Sequence, residues 1–161
     1  MLRAIDVARF FLALDIDRKL FTQNLIERNG KNFYEGNARL NKYLHIAQNL
    51  YIAKTGEKLF RDDLFAFDNG AVVPYVRNNF MSLYYSDMVP QIPDKYLEFL
   101  NKVYKAFRNA TIDDLIEISH EDNEWLDRNP HRENQCMNSL KRAQEYKEQY
   151  CDMLHVMDKM S

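Results

Sequence analysis

The stretch from Leu40 to Arg77 restricts the possible folds more than any other part of the chain. Leu40, Tyr43, Leu44, Ala47, Leu50 and Tyr51 recur three and four residues apart, which puts one apolar stripe along a helix of several turns. Gly56 follows the last periodic residue, where a left-handed cap needs a residue without a Cβ. Beyond it come Leu59 and Phe60, the acidic pair Asp62 and Asp63, the apolar run Leu64–Phe67, Asn69-Gly70, Ala71–Val73 and Pro74. The order predicts helix, tight return, strand, turn and new helix. Asn-Gly suits a two-residue hairpin loop with both φ angles positive, so Asn69-Gly70 is expected to fold Ala71–Val73 back onto the preceding strand. Pro74, with φ already fixed and no donor to lose, suits a helix start.

The flanks read as helix. Leu2, Ile5, Ala8, Phe11 and Leu12 form one stripe of a helix over 2–16. A second helix is predicted over 18–28, ended by Asn29-Gly30, followed by an exposed loop over 29–37 pinned by Phe33 and Tyr34. The segment 81–93 is ambiguous, with Pro90 and Pro93 bracketing a connection. Tyr96, Leu100, Val103, Tyr104 and Phe107 define a helix over 94–108. Thr111 with Asp114 three residues on is a capping-box variant opening a short helix to Ser119. Asn129-Pro130 breaks the chain before a C-terminal helix within 131–161, placed over 133–157. The expectation is one mostly α (α+β) domain spanning 1–161, a compact body of five to seven helices with one small β-hairpin.

Composition limits function. With 161 residues the chain can bury roughly two-thirds of its unfolded surface without a metal or disulfide. Four glycines and four prolines favour long helices over tight turns. A net charge of −2 gives no electrostatic support for nucleic acid. Residues 111–127 carry Asp113, Asp114, Glu117, Glu121, Asp122, Glu124 and Asp127 with no Lys or Arg, either a solvated helix face or an attractor for a basic partner. Charged Arg3, Asp6 and Arg9 interrupt any secretory signal, and no segment approaches the ~20 apolar residues of a membrane span. Cys136 and Cys151, placed on one helix, would lie about 22 Å apart, beyond disulfide reach. A cytoplasmic protein with free thiols is expected.

Candidate chemistry is sparse. His120, Glu121, Asp122 and Glu124 with Trp125 are the most site-like cluster, but the second histidine of a His-Glu-x-x-His zinc site is missing. The alternative is a helix-end histidine with Trp125 on the core. Cys151 and His155 share a helix face, yet His131 and Cys136 come from another turn and form no zinc knuckle. No glycine-rich phosphate loop or nucleophile elbow is present. The ten Phe and ten Tyr fall mostly at core spacing. Tyr75 and Arg77, on the opening turn after Pro74, are residue types that anchor protein interfaces.

The order of motifs resembles the Panacea antitoxin domain family, which includes SocA-like antitoxins and phage-associated GepA-like proteins. The resemblance rests on residues 4–11, Leu40–Gln48, Thr55–Phe60 and Phe65–Pro74, and on Ser119-His120-Glu121 with Trp125, spanning about 4–127. The positions that carry it are Leu40, Tyr43, Ala47, Gln48, Gly56, Gly70, Val72, Val73, Pro74, His120 and Trp125. Phe67 stands where the family has tryptophan and Ala71 where it has proline. Tyr75 and Arg77 replace Glu and Tyr, and extra residues lie around 27–37.

The resemblance implies a non-enzymatic module that neutralises a bacterial or phage toxin by binding it, with no cofactor, metal, nucleic acid or membrane partner, and without a separate DNA-binding domain. Phe67, Asn69, Gly70, Tyr75 and Arg77 are the candidate partner-binding residues. Rival readings are a proteolytic adaptor, a small metal-dependent hydrolase centred on His120 and Glu121 with Asp122 and His131, and a nucleic-acid-binding phage protein, which the acidic run disfavours.

Overall fold

A computed structural model describes residues 1–129 and 135–160. Among these the elements run α1 (Ala4–Leu14), β1 (Leu25–Arg28), β2 (Lys31–Tyr34), α2 (Glu35–Thr55), β3 (Phe65–Phe67), β4 (Gly70–Val72), α3 (Pro74–Asn78), α4 (Phe80–Tyr85), α5 (Asp94–Phe107), α6 (Ile112–Ser119), α7 (Asn123–Arg128), α8 (Ala143–Gln149) and α9 (Cys151–Asp158). The expected mostly helical α+β architecture is present, with nine helices and a second hairpin among the described residues.

Helix α2 is the axis. Leu40, Tyr43, Leu44, Ala47 and Leu50 are fully buried, and Tyr51 is half-buried against Tyr96 and Phe99. Around Tyr43, the rings of Phe11, Phe21, Tyr104 and Phe107 stand edge-on at 5.5, 5.2, 6.4 and 6.5 Å, tying α1, the following loop and α5 to α2. The helix ends as its sequence requires, with Gly56 at φ 76°. Unlike an ordinary amphipathic helix, α2 is buried on its polar side as well, where Asn41, Lys42, His45, Gln48 and Asn49 are covered by the β3–β4 hairpin, α6 and α8.

Local signals held elsewhere. Pro74 occupies the first turn of α3. The Thr111 hydroxyl accepts from Asp114 N at 3.1 Å while the Asp114 carboxylate accepts from Thr111 N at 3.0 Å, closing the box that opens α6.

Three expectations are corrected. The helix over 18–28 and the loop over 29–37 are instead the β1–β2 hairpin and the first turn of α2. Asp15 accepts the backbone N–H groups of Lys19, Leu20 and Phe21, and Arg18, at φ 52°, donates to the carbonyls of Leu12, Asp15 and Tyr84, so this segment is held as a turn. Arg28 then pairs with Lys31 across Asn29-Gly30, whose φ angles are 56° and 75°, the geometry of a type I′ loop.

In the second hairpin Phe67 pairs with Gly70, so the loop residues are Asp68-Asn69 rather than Asn69-Gly70. Only Gly70 has positive φ there, because Asn69 is tied across to the first hairpin.

The single C-terminal helix is absent from the described residues. Gln135–Met137 lie extended against β3, with Ala66 N donating to Gln135 O at 2.9 Å and Met137 N to Leu64 O at 2.7 Å. A 3-10 turn, Ser139–Arg142, precedes α8, and Tyr150 separates α8 from α9. Cys136 and Cys151 therefore sit on different elements, both free and exposed. The break at Asn129-Pro130, His131 and the proposed helix start at 133 involve residues 130–134, which lie outside the described residues.

Gln48 fixes the return after α2. Its Oε1 accepts from Leu59 N and Phe60 N at 2.8 and 3.2 Å and its Nε2 donates to Phe60 O at 3.0 Å, all buried. Gln48→Leu, leaving three backbone groups unpaired, is expected to lower unfolding free energy by about 2–3 kcal/mol in urea titrations.

Candidate functional site

The cluster His120, Glu121 and Asp122 does not converge. His120 caps α6 and stacks flat on Trp125, ring centroids 3.9 Å apart, and burial together with the nearby Lys42 charge holds its imidazole below its ordinary pKa. Glu121 faces solvent. Asp122 is fully buried: Oδ2 accepts from His45 Nε2 at 2.7 Å and Asn49 Nδ2 at 2.9 Å, and Oδ1 from Tyr146 Oη at 2.7 Å and Glu124 N at 2.9 Å. This is an interior clamp joining α2, α7 and α8. Among the described residues no group of three or more His, Cys, Asp or Glu side chains could hold a metal ion.

Glu124 forms a second buried hub. Its carboxylate takes Asn138 N at 2.6 Å, Arg128 Nε at 3.2 Å, Arg142 Nε at 3.2 Å and Lys141 Nζ at 3.3 Å. Asp113 pairs with Arg28, Asp114 caps α6 and Asp127 pairs with Arg142. The acidic run is therefore not a uniform solvated face, since its carboxylates are largely consumed internally.

The face around the β3–β4 hairpin is where candidate residues meet. A cavity of about 410 Å³ opens between the two hairpins, α2 and the start of α3. Phe67, Asn69, Gly70 and Arg77, four of the five candidate partner-binding residues, line it. Tyr75 does not; 59% exposed, it faces a separate cleft with Arg3, Ile5, Arg9, Arg61 and Asp62. The hairpin tips are joined over the cavity by Asn29 Nδ2 to Asn69 Oδ1 at 2.7 Å and by Lys31 to Asp68 at 2.9 Å. Arg77 lies over the Phe67 ring, 4.9 Å from its centroid.

Sequence reasoning missed Lys42, also in the cavity wall. Its side chain is buried, 3% exposed, and burial lowers its pKa to about 8. No hydrogen bond or ion pair engages it among the described residues. A Cβ on Gly70 would stand 3.3 Å from Lys42 Nζ and 2.8 Å from Ser119 Oγ, so the bare backbone at φ 128° is what fits over the ammonium. The helical pattern alone places Lys42 off the apolar stripe, with nothing local to signal that a hairpin would cover it.

The remaining family-pattern positions are architectural. Trp125 Nε1 donates to Phe67 O at 2.8 Å, locking α7 to β3, and Val73 N donates to Asn41 Oδ1 at 3.0 Å, locking β4 to α2. A helical α+β module with interior polar clamps and a basic cavity between its hairpins is the class these features define. The chain belongs to the family described as antitoxin SocA-like, Panacea domain, whose model matches residues 40–126. Comparison with curated proteins and with solved structures gives no match.

Two outcomes are expected for these buried charges. Burial pushes the carboxyls of Asp122 and Glu124 up, but the hydrogen bonds and charges around them outweigh it and hold both below their ordinary values. Their stabilisation is full above the unfolded pKa of about 4 and is lost as pH falls through the folded values. Urea midpoints should drop steeply below about pH 4, and Asp122→Asn should flatten that dependence while costing about 3 kcal/mol at neutral pH. Lys42 has the opposite sign: its lowered pKa means the ammonium destabilises the fold below about pH 8. Lys42→Met should stabilise by about 1–3 kcal/mol at pH 7, and the gain should shrink as pH rises toward 10.

Proposed function

We propose that this protein is an antitoxin that neutralises a cognate toxin by binding it directly, without catalysis of its own, in the cytoplasm. Membership of the antitoxin SocA-like, Panacea domain family is the observation that carries this reading. The binding face is the β3–β4 hairpin with the opening of α3. Support comes from its exposed Tyr75, its Arg77 resting on Phe67 and the concave surfaces on either side. Tyr and Arg anchors seated beside pockets are the arrangement that concentrates binding energy in protein interfaces. A metal-dependent hydrolase has no comparable support, because His120, Glu121 and Asp122 face three different surroundings.

Co-expression with each neighbouring reading frame tests the function: one neighbour should arrest growth alone, be silenced by this protein and co-purify with it. Tyr75→Ala combined with Arg77→Ala should weaken that complex at least about tenfold, by about 1.4 kcal/mol or more, without loss of fold by circular dichroism. Full neutralisation by the double variant would place the interface elsewhere, and toxin loss that requires a protease would make the protein an adaptor.

A further inference from the structure

The cavity between the hairpins is selective in what it leaves uncommitted. Three of its four side-chain amides are engaged by the protein itself: Asn37 donates to Arg77 O at 3.0 Å, Asn41 accepts from Val73 N, and Asn69 is bonded to Arg28 O and Asn29, while Asn32 on the exposed wall stays open to solvent. Lys31 is paired with Asp68, and Asp68 also accepts from Asn129 Nδ2 at 3.3 Å. Two cations remain, Lys42 in the buried wall and Arg77 in the exposed part, and neither has an acceptor among the described residues. Ala38, Phe33, Phe67 and Val72 supply apolar wall between these polar groups.

An ammonium so largely withdrawn from water without a counter-charge is costly to hold, and the Lys42 side chain keeps only 3% of its exposure. Within the cavity the Asp68 carboxylate is taken by Lys31, and the charge that Lys42 puts on the His120 ring is felt as repulsion. Among the described residues no carboxylate pairs with Lys42, and the cavity is of the size that receives a ligand group able to do so.

Resting on the protein-binding reading, we infer that this cavity is the receptor for a carboxylate of the partner protein, an Asp or Glu side chain or a chain end, held by Lys42 inside and Arg77 at the mouth. Arg77 offers a planar two-donor edge suited to one carboxylate, and Lys42 a point charge behind it. The hairpin β1–β2 supplies Lys31, Asn32 and Phe33, so the segment around 27–37 that departs from the family pattern forms one wall. Charge complementarity across such a site sets partner choice.

The test has two arms on the full chain. In the first, the Lys42 side-chain NMR signal is followed while 3-phenylpropionate or its amide is added. The carboxylate should shift the signal saturably and the amide should not; no shift, or equal shifts, overturns the carboxylate pocket. In the second, the toxin found by co-expression is titrated against wild type, Lys42→Met and Arg77→Gln. Each variant should lose at least tenfold in affinity, and one acidic substitution in the toxin should reproduce the Lys42→Met loss without adding to it. Lys42→Met stays folded on the stability grounds above, so affinity within twofold of wild type overturns the partner assignment. If no neighbour is toxic, the antitoxin reading fails, and a carboxylate-selective shift in the first arm would then reassign the pocket to a small carboxylate, also overturning the partner assignment.

Discussion

The buried carboxylate of Asp122 is the interaction on which the rest of the molecule depends. It receives His45 and Asn49 from α2, Tyr146 from α8 and a backbone N–H at the start of α7, with no water-facing side. Removing a carboxylate from water is favourable only when every lone pair is taken and the donors are held in place. Here four donors do so, and they fix the rotation of α2 relative to two other helices. A helix with polar residues around half its circumference can therefore run through the centre of the fold. Gln48 and Asn41 repeat the device, each turning a burial cost into a register for the chain that passes over it.

The acidic run shows the same logic at the level of charge. Counted along the chain, it is a patch; folded, it supplies two interior hubs, a helix cap and two ion pairs. Glu124 draws Arg128, Lys141 and Arg142 inward, which anchors the C-terminal elements to α7. The two buried carboxylates, Asp122 and Glu124, are thus spent on the α7–α8 side, while among the described residues Lys42 and Arg77 on the hairpin side have no acceptor. A net charge of −2 conceals a cavity between the hairpins whose lining carries more basic than acidic residues.

What could be read from the sequence was what is local. The stripe of α2, the Gly56 cap, the Thr111 box and Pro74 at a helix start each depend on residues within a turn or two of one another, and each formed. The β1–β2 hairpin and the extended 135–137 segment depend on distant partners, and helical spacing misassigned both. The Asn-Gly rule itself was sound, but it operates at Asn29-Gly30; at Asn69 the side chain is held by Arg28 O and Asn29, which shifts the loop back by one residue. Among the candidate binding residues, position after Pro74 could not separate Tyr75 from Arg77, because residues two apart on a helix point in nearly opposite directions and here meet different clefts. Lys42 was invisible for a related reason: its burial is created by a hairpin and α6 meeting over α2, a tertiary event with no periodicity of its own.

Lys42 gives meaning to the contrast between the two sides of α2. Toward α7 and α8 the buried polar side chains converge on the Asp122 carboxylate, which the fold supplies with four donors. Toward the hairpins the Lys42 side chain is buried without an acceptor among the described residues, under a glycine whose φ of 128° and close approach strain any substitution. A methionine would pack there at lower cost, so the lysine is a local loss of stability of the kind proteins retain where binding requires it. The lashings Asn29–Asn69 and Lys31–Asp68 hold the cavity walls before any partner arrives. A carboxylate entering this preformed basic site gains the full interaction with little ordering cost. The rigidity that Asp122 imposes on α2 is therefore also what keeps Lys42 in position to receive it.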